Sequence, residues 1–384
     1  MSTLSARSTV EPFHAMDVLA EANRRRDAGH PVISLAVGQP SHPAPRAALE
    51  AAEAALRHGR IGYTDTLGTA TLRAAIADHY RSHYGVEVDP RRIAVTTGSS
   101  AGFNLAFLAL FDPGDRVAIA RPGYPAYRNI LGALGLEVVE VEADAAAGFT
   151  LTPTALEEAA RVHGPLKGVL LASPANPTGT VTGRAALKAL SDYCAATGMA
   201  FLSDEIYHGL TFVGEETTAL SVSDDAVIIN SFSKYYCMTG WRIGWMVLPE
   251  DKVRGFERIS QSLYISPPEL SQIAAQAALG AGAELDVYRE SYAANRALLT
   301  RRLPEIGLSI ASPMDGAFYA YVDVSRLTND SMDFARRMLL ETNVAATPGR
   351  DFDPVNGHRT LRFSYAGAPE EIAEAVERIA DWLK

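Results

Sequence analysis

Lys234 stands just past an apolar, strand-like run at 226–230, with Ser231 and Ser233 before it. Arg242 follows between Gly240 and Gly244. A lysine at the end of a buried strand loses hydration of its charged form, so its pKa falls. A neutral amine in such a place is a nucleophile, suited to forming a Schiff base with an aldehyde. The two hydroxyls and the guanidinium are anion ligands, and the glycines let backbone come close to whatever they hold.

Three other strand ends carry polar residues. After the run 93–97 comes Gly98, Ser99 and Ser100, opening a helix. Free N–H groups at a helix start, with two hydroxyls added, make a phosphate cradle; equally, Ser99 is an N-cap and Gly98 a turn. After 168–172 comes Asn176 in a Pro-rich turn that ends in Gly179. Its amide can donate to a phenolate-like oxygen, or the segment is an ordinary turn. After 200–203 comes Asp204 with Tyr207 three positions on. An unpaired carboxylate continuing an apolar strand is expensive, and a protonated ring nitrogen would satisfy it; the alternative is an N-cap Asp beside a surface Tyr. Asn176, Asp204 and Lys234 follow one another at intervals of 28 and 30 residues. Each interval suits one connection plus one strand, so the three polar ends are expected in one crevice, beyond the carboxyl ends of a parallel sheet.

The elements that must position them alternate strand and helix. Strands are expected at 93–97, 116–120, 137–142, 168–172, 200–203, 226–230 and 243–248, with helices at 69–84, 99–111, 124–134, 153–163 and 184–197. That alternation predicts an α/β doubly wound, mostly parallel seven-stranded sheet. A helix near 11–30, a short strand at 31–36 and a Pro-rich loop from Gly38 precede it. A long helix at about 285–302 leads to a smaller α+β unit, with strands near 318–324, 344–346 and 360–364 and a closing helix over 369–383. The expected division is a large domain over 46–285 and a small one from 1–45 with 286–384.

The 384 residues exceed a single average domain, and 47% hydrophobic with 21% charged residues is ordinary for a compact soluble protein. A net charge of -10 argues against a nucleic-acid partner, since phosphate backbones need a basic surface. Two cysteines, Cys194 and Cys237, imply neither a disulfide framework nor a Cys-based metal site. No metal is expected. The first residues lack an apolar core of signal-peptide length, and no run approaches a membrane span, so a cytoplasmic setting is expected.

The lysine segment, with a Ser three before Lys234 and Gly-x-Arg-x-Gly downstream, resembles that of the class I/II, fold type I, pyridoxal phosphate-dependent aminotransferases. The resemblance covers essentially the whole chain. It implies a pyridoxal phosphate cofactor joined to Lys234 as a Schiff base, with Lys234 also moving the proton. Asp204 would pair with the pyridine nitrogen, and Asn176 and Tyr207 would hold the ring oxygen. Ser99, Ser100, Ser231, Ser233 and Arg242 would contact the phosphate, and Tyr124 would stack on the ring. Tyr63 would reach the phosphate of a neighbouring subunit, which implies a homodimer with shared active sites. For the substrate, Arg362 would grip the α-carboxylate, with Gly38 contacting the same group and Asn176 also on the substrate side.

The implied reaction is ping-pong transfer of an amino group between an L-amino acid and a 2-oxo acid. C–S β-elimination, or another amino-acid lyase reaction on the same fold, is the alternative. A cation for an acidic substrate side chain is missing where such relatives often carry one: this chain offers Gln261 and Ser100, leaving Arg128 as a candidate. Phe352–Asp353 replaces the usual Phe-Gly, and Gln39 a commonly acidic residue; both departures are expected near the substrate entrance.

Overall fold

The structure is a computed structural model that describes residues 4–384. Ile33–Ser34 (β1) precedes a seven-stranded sheet built from Ile93–Thr96 (β2), Arg116–Arg121 (β3), Glu137–Glu142 (β4), Gly168–Ala172 (β5), Ala200–Asp204 (β6), Val227–Ser231 (β7) and Gly244–Val247 (β8). Their spatial order is β2-β8-β7-β6-β5-β3-β4, and only β8 runs antiparallel to its neighbours. All seven strands expected for this sheet are present, within a residue or so at each end.

These strands read as continuous apolar runs because both faces of the sheet are covered. Along β7, Ile228 faces one core with Val169, Phe201 and Trp245, while Val227 and Ile229 face the other with Phe103, Phe107 and Met246. Burying one such side chain favours folding by about 1.5–3 kcal/mol. The helix Gly98–Leu110 is apolar nearly all round, since it lies between that second face and the helix Val253–Leu263.

The smaller unit has a four-stranded antiparallel sheet of Ser309–Ile310 (β9), Tyr319–Asp323 (β10), Thr347–Pro348 (β12) and Thr360–Ser364 (β13), ordered β12-β13-β10-β9. Beside it, Val344–Ala345 (β11) pairs in parallel with β1, so the expected strand at 31–36 shortens to two residues. Helix Gly282–Glu305 extends the expected 285–302 at both ends. A further apolar core joins Leu299, Leu303, Phe363, Ile372 and Ile379, and it also takes in Tyr207 and Leu210. We propose the division 46–285 against 1–45 with 286–384 on the strength of these separate cores, with Tyr207 and Leu210 crossing it.

Among the described residues no helix is long and apolar enough to cross a membrane, and no cluster of His, Cys, Asp or Glu has the makings of a metal site.

Candidate active site

A cavity of about 270 Å³ opens beyond the carboxyl ends of β5, β6 and β7, where the small sheet leans over the large one. Lys234, Asp204, Asn176, Tyr207, Tyr124, Ser99, Ser100, Ser233, Arg242, Gly38 and Arg362 all line it. The crevice expected from strand-end spacing is therefore one place. Ser231 and Tyr63 lie outside it. The Ser231 hydroxyl is buried against Ser233 Oγ at 2.9 Å and the Ile243 carbonyl at 3.2 Å. Tyr63 is 83% exposed, on a surface it shares with Ile61, Ser266 and Pro267.

The Lys234 ammonium donates to the Gly38 carbonyl at 2.6 Å and has no carboxylate partner. Burial, then the positive charges of Arg362 and Arg242, push its pKa down to about 8, with Asp204 opposing. Gly38 can occupy its place only as glycine, because a Cβ would overlap the Tyr319 hydroxyl. That hydroxyl shares a 2.7 Å hydrogen bond with Tyr207 OH.

Asp204 ends β6 fully buried, and desolvation raises its pKa to about 6. Hydrogen bonds from Tyr127 OH to Oδ2 and from the Ile206 N–H to Oδ1 pull it back down. No helix starts here and Tyr207 is buried, so the N-cap alternative for Asp204 does not hold. Nor does the one for Ser99: the N-cap is Thr97, which supplies no capping bond, and Ser99 and Ser100 sit within the first turn. That turn's N–H groups thus face the cavity end without a side-chain acceptor.

Arg362, in β13, is 3% exposed yet forms no ion pair among the described residues. Its Nη1 donates to Asn176 Oδ1 at 2.9 Å, and its Nη2 to the Ala36 carbonyl and to Thr347 Oγ1. Nε has no partner. The guanidinium lies between the rings of Tyr319 and Phe352, 4.3 and 4.6 Å from their centroids. A buried cation without a counter-charge is costly, and a carboxylate delivered from solvent would relieve it.

The donor set suits pyridoxal phosphate. Gly98 N–H, the Ser99, Ser100 and Ser233 hydroxyls and the Arg242 guanidinium gather where a phosphate would sit, and a Cβ at Gly98 would collide with that guanidinium. An amine, a buried carboxylate and an aromatic face at Tyr124 meet the remaining needs of a pyridine aldehyde.

Sequence reasoning missed Tyr127, Tyr319 and the wall formed by Phe13, Ala15, Met16, Val37 and Ile130. Tyr127 follows Tyr124 by one helical turn, and that spacing was the available signal. Arg128 does not serve the cavity: it pairs with Glu140 at 2.7 Å. Gln39 lines the cavity, but Asp353 turns away to Arg121 at 3.5 Å and to the N–H groups of Val355 and Asn356, so it is not at the entrance.

A model of the family "Aminotransferase class I and II" matches residues 30–379. The chain is 48% identical over 385 residues to a valine–pyruvate aminotransferase of Mycobacterium tuberculosis, covering 99% of this chain and 98% of that one. An aspartate/prephenate aminotransferase of Thermus thermophilus is 34% identical, with 99% and 98% covered. The crystal structure of an aminotransferase from Mycobacterium tuberculosis superposes with a TM-score of 0.96 at 47% identity, covering 100% of this chain and 99% of that one.

Proposed function

The chain belongs to the class I and II aminotransferases, and on that premise we propose that it moves the amino group of small neutral amino acids, valine among them, to pyruvate. It is an enzyme that exchanges amino groups between amino acids and 2-oxo acids, with pyridoxal phosphate as cofactor. When bound, that group supplies an aldehyde to capture the amine and a ring that accepts electrons from the carbon beside it.

In this reading Lys234 Nζ is the amine that holds the aldehyde at rest and the base that takes the proton from the donor's Cα. Its lowered pKa keeps a working fraction neutral at pH 7–8. Asp204 faces the ring nitrogen, held ionised by Tyr127. Ser99, Ser100, Ser233 and Arg242 hold the phosphate, with Ser231 orienting Ser233 from behind. Asn176 and Tyr207 face the ring oxygen. Arg362 receives the α-carboxylate on the edge left without a partner, and Gly38 places its backbone beside the same group.

One observation carries the substrate class. The basic residues lining the cavity are Lys234, Arg242 and Arg362, and each has a task at the cofactor or the α-carboxylate. Apart from Asp204, the remaining lining is uncharged and mostly apolar, with Phe13, Ala15, Met16, Val37 and Ile130 beside the neutral Gln39. A second carboxylate would be buried there without a counter-charge.

We extend the proposal to a homodimer. Tyr63 is exposed on a surface it shares with Ile61, Pro267, Pro268 and Leu270, an apolar patch suited to a second copy. A cytoplasmic setting agrees with two buried, unpaired cysteines.

The test is a half-reaction with no 2-oxo acid present. Valine and alanine should each bleach the visible band of the loaded enzyme, roughly a hundredfold faster than aspartate, with pyruvate restoring it. Aspartate reacting as fast as valine overturns the substrate class. A band that persists while ammonia is released marks a lyase instead.

A further inference from the structure

Asp351 ends the short turn Gly349–Asp351 and is 2% exposed. Its Oδ1 accepts the His14 N–H at 2.9 Å and its Oδ2 the Ala15 N–H at 2.7 Å. These are the first two backbone donors of the helix His14–Asp27, and that helix's own N-cap, Phe13, supplies no side-chain acceptor. A carboxylate more than 330 residues away in sequence therefore does the capping, on the end of the helix that favours negative charge.

Phe13, Ala15 and Met16, which straddle that cap, form much of the apolar wall on the donor side of the cavity. The same turn reaches other parts of the site. Phe352, next in sequence, lays its ring against Arg362 and accepts the Gly123 N–H at 2.9 Å, beside Tyr124. Arg128 donates to the Asp351 carbonyl at 3.1 Å, which holds the turn itself.

We propose that Asp351 is a positioning residue for substrate selection: by capping the first turn of His14–Asp27 it fixes the Phe13–Met16 wall and so decides which donor side chains are favoured. Lys234 and Arg362 are held by other bonds, to Gly38, Asn176, Ala36 and Thr347. Loosening the wall therefore acts first on the donor beyond its Cβ, while the hydrogen bonds that hold Lys234 and Arg362 stay in place. The inference rests on the proposal that small neutral donors are the substrates.

The experiment measures kcat/KM for valine and alanine on the loaded enzyme, as wild type, Asp351→Ala, Asp351→Asn and Met16→Ala. Removing an N-cap shifts a helix-start equilibrium roughly two- to thirtyfold, and valine's extra methyl groups are what the wall rewards. Asp351→Ala should lower the valine-to-alanine ratio about fivefold with the visible band unchanged. Asp351→Asn keeps one acceptor oxygen and should fall between; if the alanine variant does not fold, this one decides. Met16→Ala, at a half-exposed position, should lower the same ratio by direct loss of contact.

Equal losses for both donors, or an unchanged ratio, overturn the proposal and assign Asp351 a purely structural part. Failure of the underlying substrate reading shows earlier and separately, as a wild-type enzyme that turns over neither donor.

Discussion

Tyr127→Phe isolates one oxygen whose effect can be worked from the structure. The Tyr127 hydroxyl donates to Asp204 Oδ2, and among the described residues the one other donor to that carboxylate is the Ile206 N–H at 3.1 Å. Burial holds the Asp204 pKa at about 6 despite both bonds. A hydrogen bond to a charged group contributes about 1.5–3 kcal/mol, so its loss should carry the carboxyl to about pH 7 or above.

With a pKa of about 7 in the variant, the ionised fraction at pH 6 falls from about one half to one tenth; at pH 8 both forms are ionised nine times in ten or more. If the ionised carboxylate is what receives the pyridine nitrogen, pyridoxal phosphate should bind apo-variant about fivefold more weakly than apo-wild type at pH 6. The gap should be about twofold at pH 7 and nearly absent at pH 8. Titrating each apo-protein through the visible band at the three pH values reads this directly, and the ligand's own titration cancels in the ratio. Equal affinities at pH 6, or a gap that widens as pH rises, would refute the reasoning.

Arg362→Ala should raise KM for valine roughly a hundredfold by removing a charged, two-pronged contact, while pyridoxal phosphate stays bound; loss of the visible band instead would mean the residue is misassigned. Lys234 reacts as its neutral amine, and its pKa is depressed to about 8, so the neutral fraction grows as pH rises. The rate at which apo-protein develops the visible band should therefore increase about fivefold from pH 7 to pH 8 and level off above pH 9, whereas a rate still climbing at pH 10 would mark an ordinary lysine. Gly98→Ala places a methyl against the Arg242 guanidinium at a left-handed backbone position, and should weaken pyridoxal phosphate while leaving pyridoxal, which lacks the phosphate, little changed. Equal losses for both ligands would remove Arg242 from the phosphate site.

The parts of this site that were legible are those that break a local rule. Asp204 ends an apolar strand and Lys234 follows another by three residues, so the sequence alone shows an expense that a ligand would relieve. Their shared crevice followed from strand spacing, because parallel strands joined by helices bring all their carboxyl ends to one edge. Tyr127 left only its spacing from Tyr124 to read, since its hydroxyl finds Asp204 only once the helix Pro125–Ala133 packs on the sheet. Asp351 was not legible, since its partners lie 336 and 337 residues away. Ser231 shows the reverse: its position beside Lys234 suggests a ligand, but its hydroxyl is buried against Ser233 and the Ile243 carbonyl. Two-residue strands such as Thr347–Pro348 carry no periodicity to read, yet one of them sets Thr347 against Arg362.

The central claim is that Lys234 is the amine that holds pyridoxal phosphate. Loading the protein with that cofactor, reducing it with borohydride and mapping peptides by mass spectrometry tests this most directly. The account predicts one added pyridoxyl phosphate per chain, on Lys234, and none on Lys234→Ala under the same treatment. A label on Lys167, Lys188, Lys252 or Lys384, or a Lys234→Ala protein that still fixes the cofactor, would contradict it.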